Sequence, residues 1–438
     1  MTGKYGACLQ WIATFINQQI SMSEINQASF KLSPEKNLSQ EQSALKRSIE
    51  TFLNTHRHDQ HAFFVIHGEA GTGKSVLLNS IFCDLQTHAR LQPQHPLYGS
   101  ENYLLVNHPE MLKAYKNATD NQPSLRKKDY ERPTTFINRM DKRGAIADIV
   151  LVDEAHLLLT RRDSYNHFFQ DNHLDEIIRL SRIVILVFDE QQVLKFKSLW
   201  SESQLSRMMN RWPHDVYVLR HQFRMRADAA VQHWIRCFCR RKLPPLPSSA
   251  MNHREGAFEI RVFDDALAMY DAVKEKNAFS GLSRMLSTYD YPYRLDGQDY
   301  FIEEGRFRLR WDRSKPNERL PWAERADTID EVGSVYTVQG FDLNYVGLIL
   351  GPSVAWDEQR EAIVLDPARY EDSAAFQGKA LIDNSEAVKE RIMLNAINVL
   401  MTRAIHGLYL YAHDVKLRAK LMSLQQKARI NGDNNDCN

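Results

Sequence analysis

Cysteine is scarce in this chain. Five cysteines (Cys8, Cys83, Cys237, Cys239 and Cys437) are scattered through 438 residues, and their number is odd. That excludes a disulfide framework and points to a reducing, cytoplasmic setting. The "CFC" at 237–239 has no second ligand pair at zinc spacing, so it reads as structural helix positions. Long apolar runs are also missing: nothing approaches the ~18 residues of a membrane span. The short apolar stretch in "MTGKYGACLQWIATFINQQ" is broken by Gln10 and Trp11 and lacks a small-residue cleavage site, so neither a membrane span nor a signal peptide is expected. Net charge is nearly absent at +1, so any surface for nucleic acid must be local. There are no repeats and no low-complexity segment. The remaining composition, 43% apolar and 25% charged, is that of a globular chain with a sizeable core. Its length suggests two to three domains.

From about residue 38 onward, short continuous apolar runs alternate with helical segments. This is the pattern of parallel sheets buried on both faces. The clearest runs are "AFFVIHG" (62–68), "NYLLVNH" (102–108), "DIVLVDEAH" (148–156), "RIVILVFDE" (182–190), "DVYVLRH" (215–221), "YVGLILG" (345–351) and "GLYLYAHD" (407–414). Most end in polar or glycine-containing groups, and in open α/β sheets that end of the strand is where ligands bind. The proline- and serine-rich "RRKLPPLPSSAMNHREG" (240–256) breaks the pattern before a new strand, "AFEIRVFD". The expected division is a helical appendage at 1–36, a first lobe at 37–216, and a second lobe at 217–438 with a small insertion around 291–330.

"HGEAGTGKSVLL" follows an apolar strand and opens a helix, the context a phosphate loop requires. Gly68, Gly71, Thr72 and Gly73 supply a tight turn whose N–H groups point at phosphate oxygens, and the helix N-terminus adds positive potential. Lys74 is placed to reach the β- and γ-phosphates, and Ser75 to ligate Mg²⁺. In "IVLVDEAH", Asp153 emerges from a buried strand to hold the metal through water, and Glu154 is placed to orient or activate the attacking water. Paired acids at a strand tip could equally be a helix N-cap. Their position, with Asp153 79 residues after Lys74, favours the metal. In "VILVFDEQQVL", Gln192 is a candidate γ-phosphate sensor, with a plain strand exit as the alternative.

The order of motifs resembles the Schlafen group-3 P-loop DNA/RNA helicase-like family, within the superfamily-1 helicases, over roughly residues 38–414. The carrying blocks are "LSQEQ" (38–42), "GEAGTGKS", "DEAH", "FDEQQ", "LRHQFRMR" (219–226), "VGSVYTVQGFDLNYVGLILGP" (332–352) and "NVLMTRAIHGLYLY" (398–411). The resemblance implies an α/β fold of two RecA-like lobes with ATP and Mg²⁺ in the cleft between them. It places Gln42 at the adenine and Arg224 and Arg403 against the γ-phosphate. Phe223 would stack on the adenine. Gln339, Gly340 and Asp342 would link nucleotide to nucleic acid, with the acid near the ribose. Phe188 stands where the family usually has Gly, and Tyr336 where it usually has His.

For nucleic acid, two candidates stand out. "EEGRFRLRWDRSK" alternates from Arg306. Arg306, Arg308 and Arg310 face one way, as a basic edge for phosphates or simply as the solvated side of a half-buried strand. "NHPEMLKAYK" (107–116) offers His108, Lys113 and Lys116, or a solvated helix face. No metal-nuclease carboxylate set is evident, so any cleavage activity is expected in a partner protein. The leading expectation is an ATP-dependent translocase or helicase-like motor on single-stranded DNA or RNA. The alternative is an ATP-operated switch that controls a partner. A small-molecule kinase would not need Arg224 and Arg403 on a second lobe.

Overall fold

The seven apolar runs form strands, and the computed structural model sorts them into two sheets. It describes residues 32, 38–68, 71–120, 122–189, 192–198, 200, 202–219, 225–251, 257–294, 296–312, 317–377 and 385–435. Almost all of the expected appendage at 1–36 lies outside that set.

The first sheet has six strands: β1 (Ala62–Gly68), β2 (Asn102–Val106), β3 (Tyr130–Glu131), β4 (Ala147–Asp153), β5 (Ser181–Phe188) and β6 (His214–Leu219). Their spatial order is β3-β2-β4-β5-β1-β6, and every pairing is parallel. The continuous apolar character of β1 follows from burial on both sides. Phe64 and Ile66 pack with Leu45, Ile49 and Phe52 of α1 (Gln40–His56) and Leu77, Leu78 and Ile81 of α2 (Lys74–Leu91). Phe63 and Val65 face the other way, toward Phe136, Ile177 and Leu205. The order puts the carboxyl ends of β4, β5 and β1 side by side. Of the helices that follow the neighbouring strands, α3 (Pro109–Ala118), after β2, packs on the same side of the sheet as α1 and α2, and α4 (Pro133–Arg143), after β3, on the other.

The second sheet comprises β7 (Glu259–Val262), β8 (Arg284–Ser287), β9 (Phe301–Glu304), β10 (Phe307–Trp311), β11 (Glu331–Gly333), β12 (Leu343–Leu350) and, beyond the small two-stranded ribbon of β13 (Val354–Asp357) and β14 (Ala362–Leu365), β15 (Ala404–Ala412). The order is β7-β15-β12-β8-β11-β10-β9, parallel except for the β9–β10 hairpin at one edge. That hairpin lies within the insertion expected around 291–330. Both sheets are the RecA-like parallel sheets that the resemblance implies. The first runs to Leu219, past the expected boundary at 216, because β6 pairs with β1 from Phe63↔His214 to Gly68↔Leu219. Among the described residues, no helix is long and apolar enough to cross a membrane.

The alternation in β10 separates buried from solvent-facing side chains. Phe307 and Trp311 are buried, while Arg306, Arg308 and Arg310 pair with Asp265, Glu303 and Asp299 at 2.7, 2.8 and 3.2 Å. Each of these arginines has a carboxylate partner. Cys239 points at Asn398, and burial pushes its thiol up to about 12, as a structural cysteine should behave.

Candidate nucleotide site between the lobes

The phosphate loop is built by backbone geometry first. Gly71 and Gly73 adopt φ of 88° and 75°, in the left-handed region that costs other residues dearly. A Cβ on Gly73 would also collide with the Gln42 amide. Gln42 is fixed at both ends: its Oε1 accepts from Ser39 N at 2.9 Å in the capping box of α1, and its Nε2 donates to Thr72 O at 3.1 Å. The residue expected at adenine thus braces the loop. Gly68 closes β1, where a side chain would crowd Thr72 and Leu219.

Lys74, the first residue of α2, is buried. Its Nζ donates to Gly68 O at 2.6 Å and lies 3.4 Å from Asp189 Oδ2 at the end of β5. Ser75 is hydrogen-bonded to the Asp153 carboxylate. Tyr115 of α3 donates its hydroxyl to Asp153 Oδ2 at 2.7 Å and approaches Ser75 O at 3.4 Å. Burial, and then the neighbouring Glu154 charge, push Asp153 up from the ordinary carboxylate range. Burial also works against ionised Glu154, but His156 overcomes it and holds that carboxyl low, helped by Lys74 and Arg403. The Glu154 Oε2 to His156 Nε2 distance is 2.9 Å. Glu154 itself sits at φ 50°, a strained conformation for a residue with a side chain.

The second lobe completes the constellation. Gln339 Nε2 lies 3.0 Å from the same His156 Nε2 and 3.5 Å from Gln192 O. Gln192 Nε2 donates to Asp189 Oδ2 at 2.6 Å. Arg403 is fully buried at the start of β15, donates to Val399 O and Phe341 O, and lies within electrostatic reach of Glu154. Gly340, at φ 87°, packs on Met111 of α3. Asp342 is half-buried just before β12. The structure therefore brings together Gln42, Gly68, Gly71, Thr72, Gly73, Lys74, Ser75, Asp153, Glu154, Gln192, Gln339 and Arg403. Phe223 and Arg224 lie outside the described residues. Tyr115, His156 and Asp189 belong to the site without having been singled out by the sequence. His156 and Asp189 stand inside the "DEAH" and "FDEQQ" blocks, and Tyr115 inside "NHPEMLKAYK", where the sequence offers His108, Lys113 and Lys116 as the candidates instead.

The residues present fit a magnesium-nucleotide. Asp153 is a buried carboxylate with a raised pKa and a serine hydroxyl beside it, the donor set of a hard cation.

His108 is engaged within the protein. It is buried, caps α3 by accepting from Met111 N at 3.2 Å, and is hydrogen-bonded to the Tyr336 backbone across the lobes. Lys113 pairs with Glu110 at 2.9 Å.

The chain is similar to several known proteins. An uncharacterized protein of Saccharomyces cerevisiae is 45% identical over 415 residues, covering 89% of this chain and 91% of its own length. Among solved structures, the Pif1 helicase from Candida albicans aligns over 90% of this chain and 99% of its own, at 11% identity and a TM-score of 0.33. A DEAD box protein from the hyperthermophile Methanococcus jannaschii aligns over 90% and 96%, at 10% identity and a TM-score of 0.34. The family model of the Schlafen group 3, DNA/RNA helicase domain matches residues 61–414. The chain belongs to the Schlafen group 3 DNA/RNA helicase domain family.

Proposed function

We propose that the chain is an ATP-hydrolysing motor that acts on single-stranded nucleic acid. The observation that carries this reading is the shared His156 nitrogen. Glu154 of the first lobe and Gln339 of the second lie 2.9 and 3.0 Å from it, and since it can donate to the carboxylate or accept from the amide but not both, the two compete for it. A group that manages the attacking water is thereby tied to the lobe that must move.

Lys74 would hold the β- and γ-phosphates, exchanging its contact with Asp189 for them. Ser75 and Asp153 would hold a magnesium ion, whose chemistry is to neutralise charge on those phosphates. Glu154, kept ionised by His156, would accept the water's proton. Arg403 would stabilise charge developing on the γ-phosphate, with Arg224 proposed as a second such arginine. Gln192 would report the state of the phosphate to Gln339. Phe223, Gly340 and Asp342 are proposed on the nucleoside side.

Steady-state ATP hydrolysis with and without single-stranded DNA or RNA tests the reading. Stimulation of about tenfold or more, abolished by Lys74→Ala, is expected. Hydrolysis that no nucleic acid stimulates would instead favour a nucleotide-operated switch that governs a partner protein.

A further inference from the structure

Away from the nucleotide site, the first lobe is hollowed at the amino end of β2 by a cavity of about 480 Å³. That volume suits a small molecule. Lys74 opens α2, whereas Arg90, which lines this cavity, sits in the last turn of the same helix, roughly 24 Å along its axis. The walls are arginines, each held by a carboxylate. Arg90 grips buried Asp129 through both terminal nitrogens, at 2.8 and 3.0 Å. From α4, Arg139 Nε donates to Glu131 Oε1 at 3.0 Å, and Arg143 Nη2 donates to Glu101 Oε1 at 3.0 Å. The Tyr103 hydroxyl donates to Glu101 Oε2 at 3.1 Å, and the Arg139 guanidinium lies 4.6 Å from the centre of the Tyr103 ring. These pairs set the geometry of the walls before any ligand arrives.

The rim differs. In "SLRKKDY" (124–130), Lys127 turns to Asp120 at 2.9 Å, while Arg126 and Lys128 on either side of it line the cavity. Both are exposed, and among the described residues neither has a carboxylate partner. Asp129 ties their turn to the wall, accepting from Arg126 N at 3.2 Å while it holds Arg90. Two wall groups also keep spare capacity. Asn102 is only 2% exposed; its Nδ2 donates to Ser100 Oγ at 2.9 Å, and its Oδ1 has no donor. Turning the amide over would leave Nδ2 without an acceptor instead. Arg139 Nη2 has no acceptor either. An unpaired polar group taken out of water costs stability, and at a cavity wall a bound molecule can supply the partner.

We infer that this cavity binds a small phosphorylated polyol of the sugar phosphate class, its phosphate on Arg126 and Lys128 and its hydroxyls toward Asn102, Glu101 and Glu131. A phosphate monoester carries a charge of about −1.5 to −2 at neutral pH, which two cations match. The arginine fork fits two phosphate oxygens at once. Carboxylates accept from hydroxyls, and an amide can accept from one or donate to it. A nucleobase would find no free stacking face, because Tyr103, the aromatic side chain of the lining, is already covered by Arg139. The site stands apart from the nucleotide motifs and does not rest on the motor reading.

The test is isothermal titration calorimetry of the full chain with glucose 6-phosphate and ribose 5-phosphate, beside glucose and inorganic phosphate as fragments. At least one of the two esters is expected to bind at millimolar concentration or below, more tightly than either fragment. Arg126→Gln with Lys128→Gln should weaken that binding about tenfold or more. Lys127→Gln, on the same turn but directed to Asp120, should change it by less than about twofold. Lys74→Ala should leave it intact, which separates this cavity from the phosphate loop. Arg126 and Lys128 are exposed, so the ligand-free double variant should unfold at the wild-type temperature, and lost binding is then not lost folding. Equal weakening by Lys127→Gln would overturn the site, because attraction would then be diffuse. Loss of binding in Lys74→Ala would overturn it in favour of the phosphate loop. Inorganic phosphate binding as tightly as the esters would overturn the polyol, and AMP displacing the ester at lower concentration would overturn it in favour of a nucleotide. Neither heat nor a thermal shift with both esters at millimolar concentration would sink the assignment outright. Hydrolysis of ATP bears on none of these outcomes, so the motor and this site can each fail alone.

Discussion

Tyr115 shows how much of the site depends on single contacts. Its hydroxyl is a donor to Asp153, a carboxylate taken out of water at the end of β4. Tyr115→Phe leaves that oxygen short of a partner, which costs about 1–2 kcal/mol of stability by denaturant titration. Without the donor, Asp153 should rise further and hold its proton more tightly. Saturating the site with nucleotide should then need several-fold more magnesium at neutral pH, read by titrating magnesium against a fluorescent ATP analogue. An unchanged magnesium requirement would show that Tyr115 does not support the metal position. At this scale the sequence was legible where chemistry is local. Lys74 and Ser75 follow their glycines directly, and Asp153 and Glu154 end an unmistakable apolar strand. Tyr115 was illegible because its role is defined by a partner 38 residues away, on an otherwise ordinary amphipathic helix. Gln42 shows the other limit. The motif fixes its place, but not that its amide is engaged by Ser39 and Thr72.

Secondary elements here are held by buried neutral histidines, and those give the molecule a pH dependence. His173, at the start of α5 (His173–Arg179), accepts from Leu159 N at 3.1 Å and meets the Thr134 hydroxyl at 3.0 Å. Burial, then Arg132, bring its pKa down to about 3, and burial brings His108 to about 4. An unfolded histidine titrates near 6.5. As pH falls below that value the unfolded chain takes up protons first, so this stability is present above about 6.5 and is lost toward 4 and 3. Between pH 7 and 5 the His173 share is about 2 kcal/mol. The measurable quantity is wild type minus His173→Gln in chemical denaturation at both pH values. Asp290 and Asp312, pushed up by burial to about 6 and about 7, titrate in the same window with opposite sign and cancel only in the difference. A difference that does not change with pH would mean His173 titrates in the fold as it does in the unfolded chain. Strand legibility divides along the same physical line. β1, β4, β5, β12 and β15 announce themselves as apolar runs. β8 does not, because it begins with Arg284, whose guanidinium is buried and satisfied by Thr328, Asn277 and the Arg325 carbonyl. β11, "EVG", is too short to carry a period.

At the scale of the whole molecule, function requires the second lobe to meet the first in register, and that contact was the least legible feature. No residue pattern announces that Trp322 N donates to Glu110 at 2.9 Å, or that Asn395 reaches Val193 O at 2.9 Å. These contacts join side chains to backbone across more than 200 residues and leave no local pattern. Gly340 concentrates the problem. It must be glycine on two counts: its φ of 87° disfavours any side chain, and a Cβ would run into Met111, itself buried and unable to swing into solvent. Gly340→Ala should therefore cost about 1–3 kcal/mol from backbone strain and also push α3 away from the loop that carries Gln339. Since Gln339 reaches His156 and Gln192 from this loop, stimulation of hydrolysis by nucleic acid should fall before nucleotide binding does. Met111→Ala in the same chain removes the obstructing sulfur but not the strained φ. The double variant should recover the lobe contact, read as energy transfer between dyes placed on each lobe, while regaining little of the lost stability. If the double variant remains as open as Gly340→Ala alone, backbone conformation rather than close packing is what registers the two lobes.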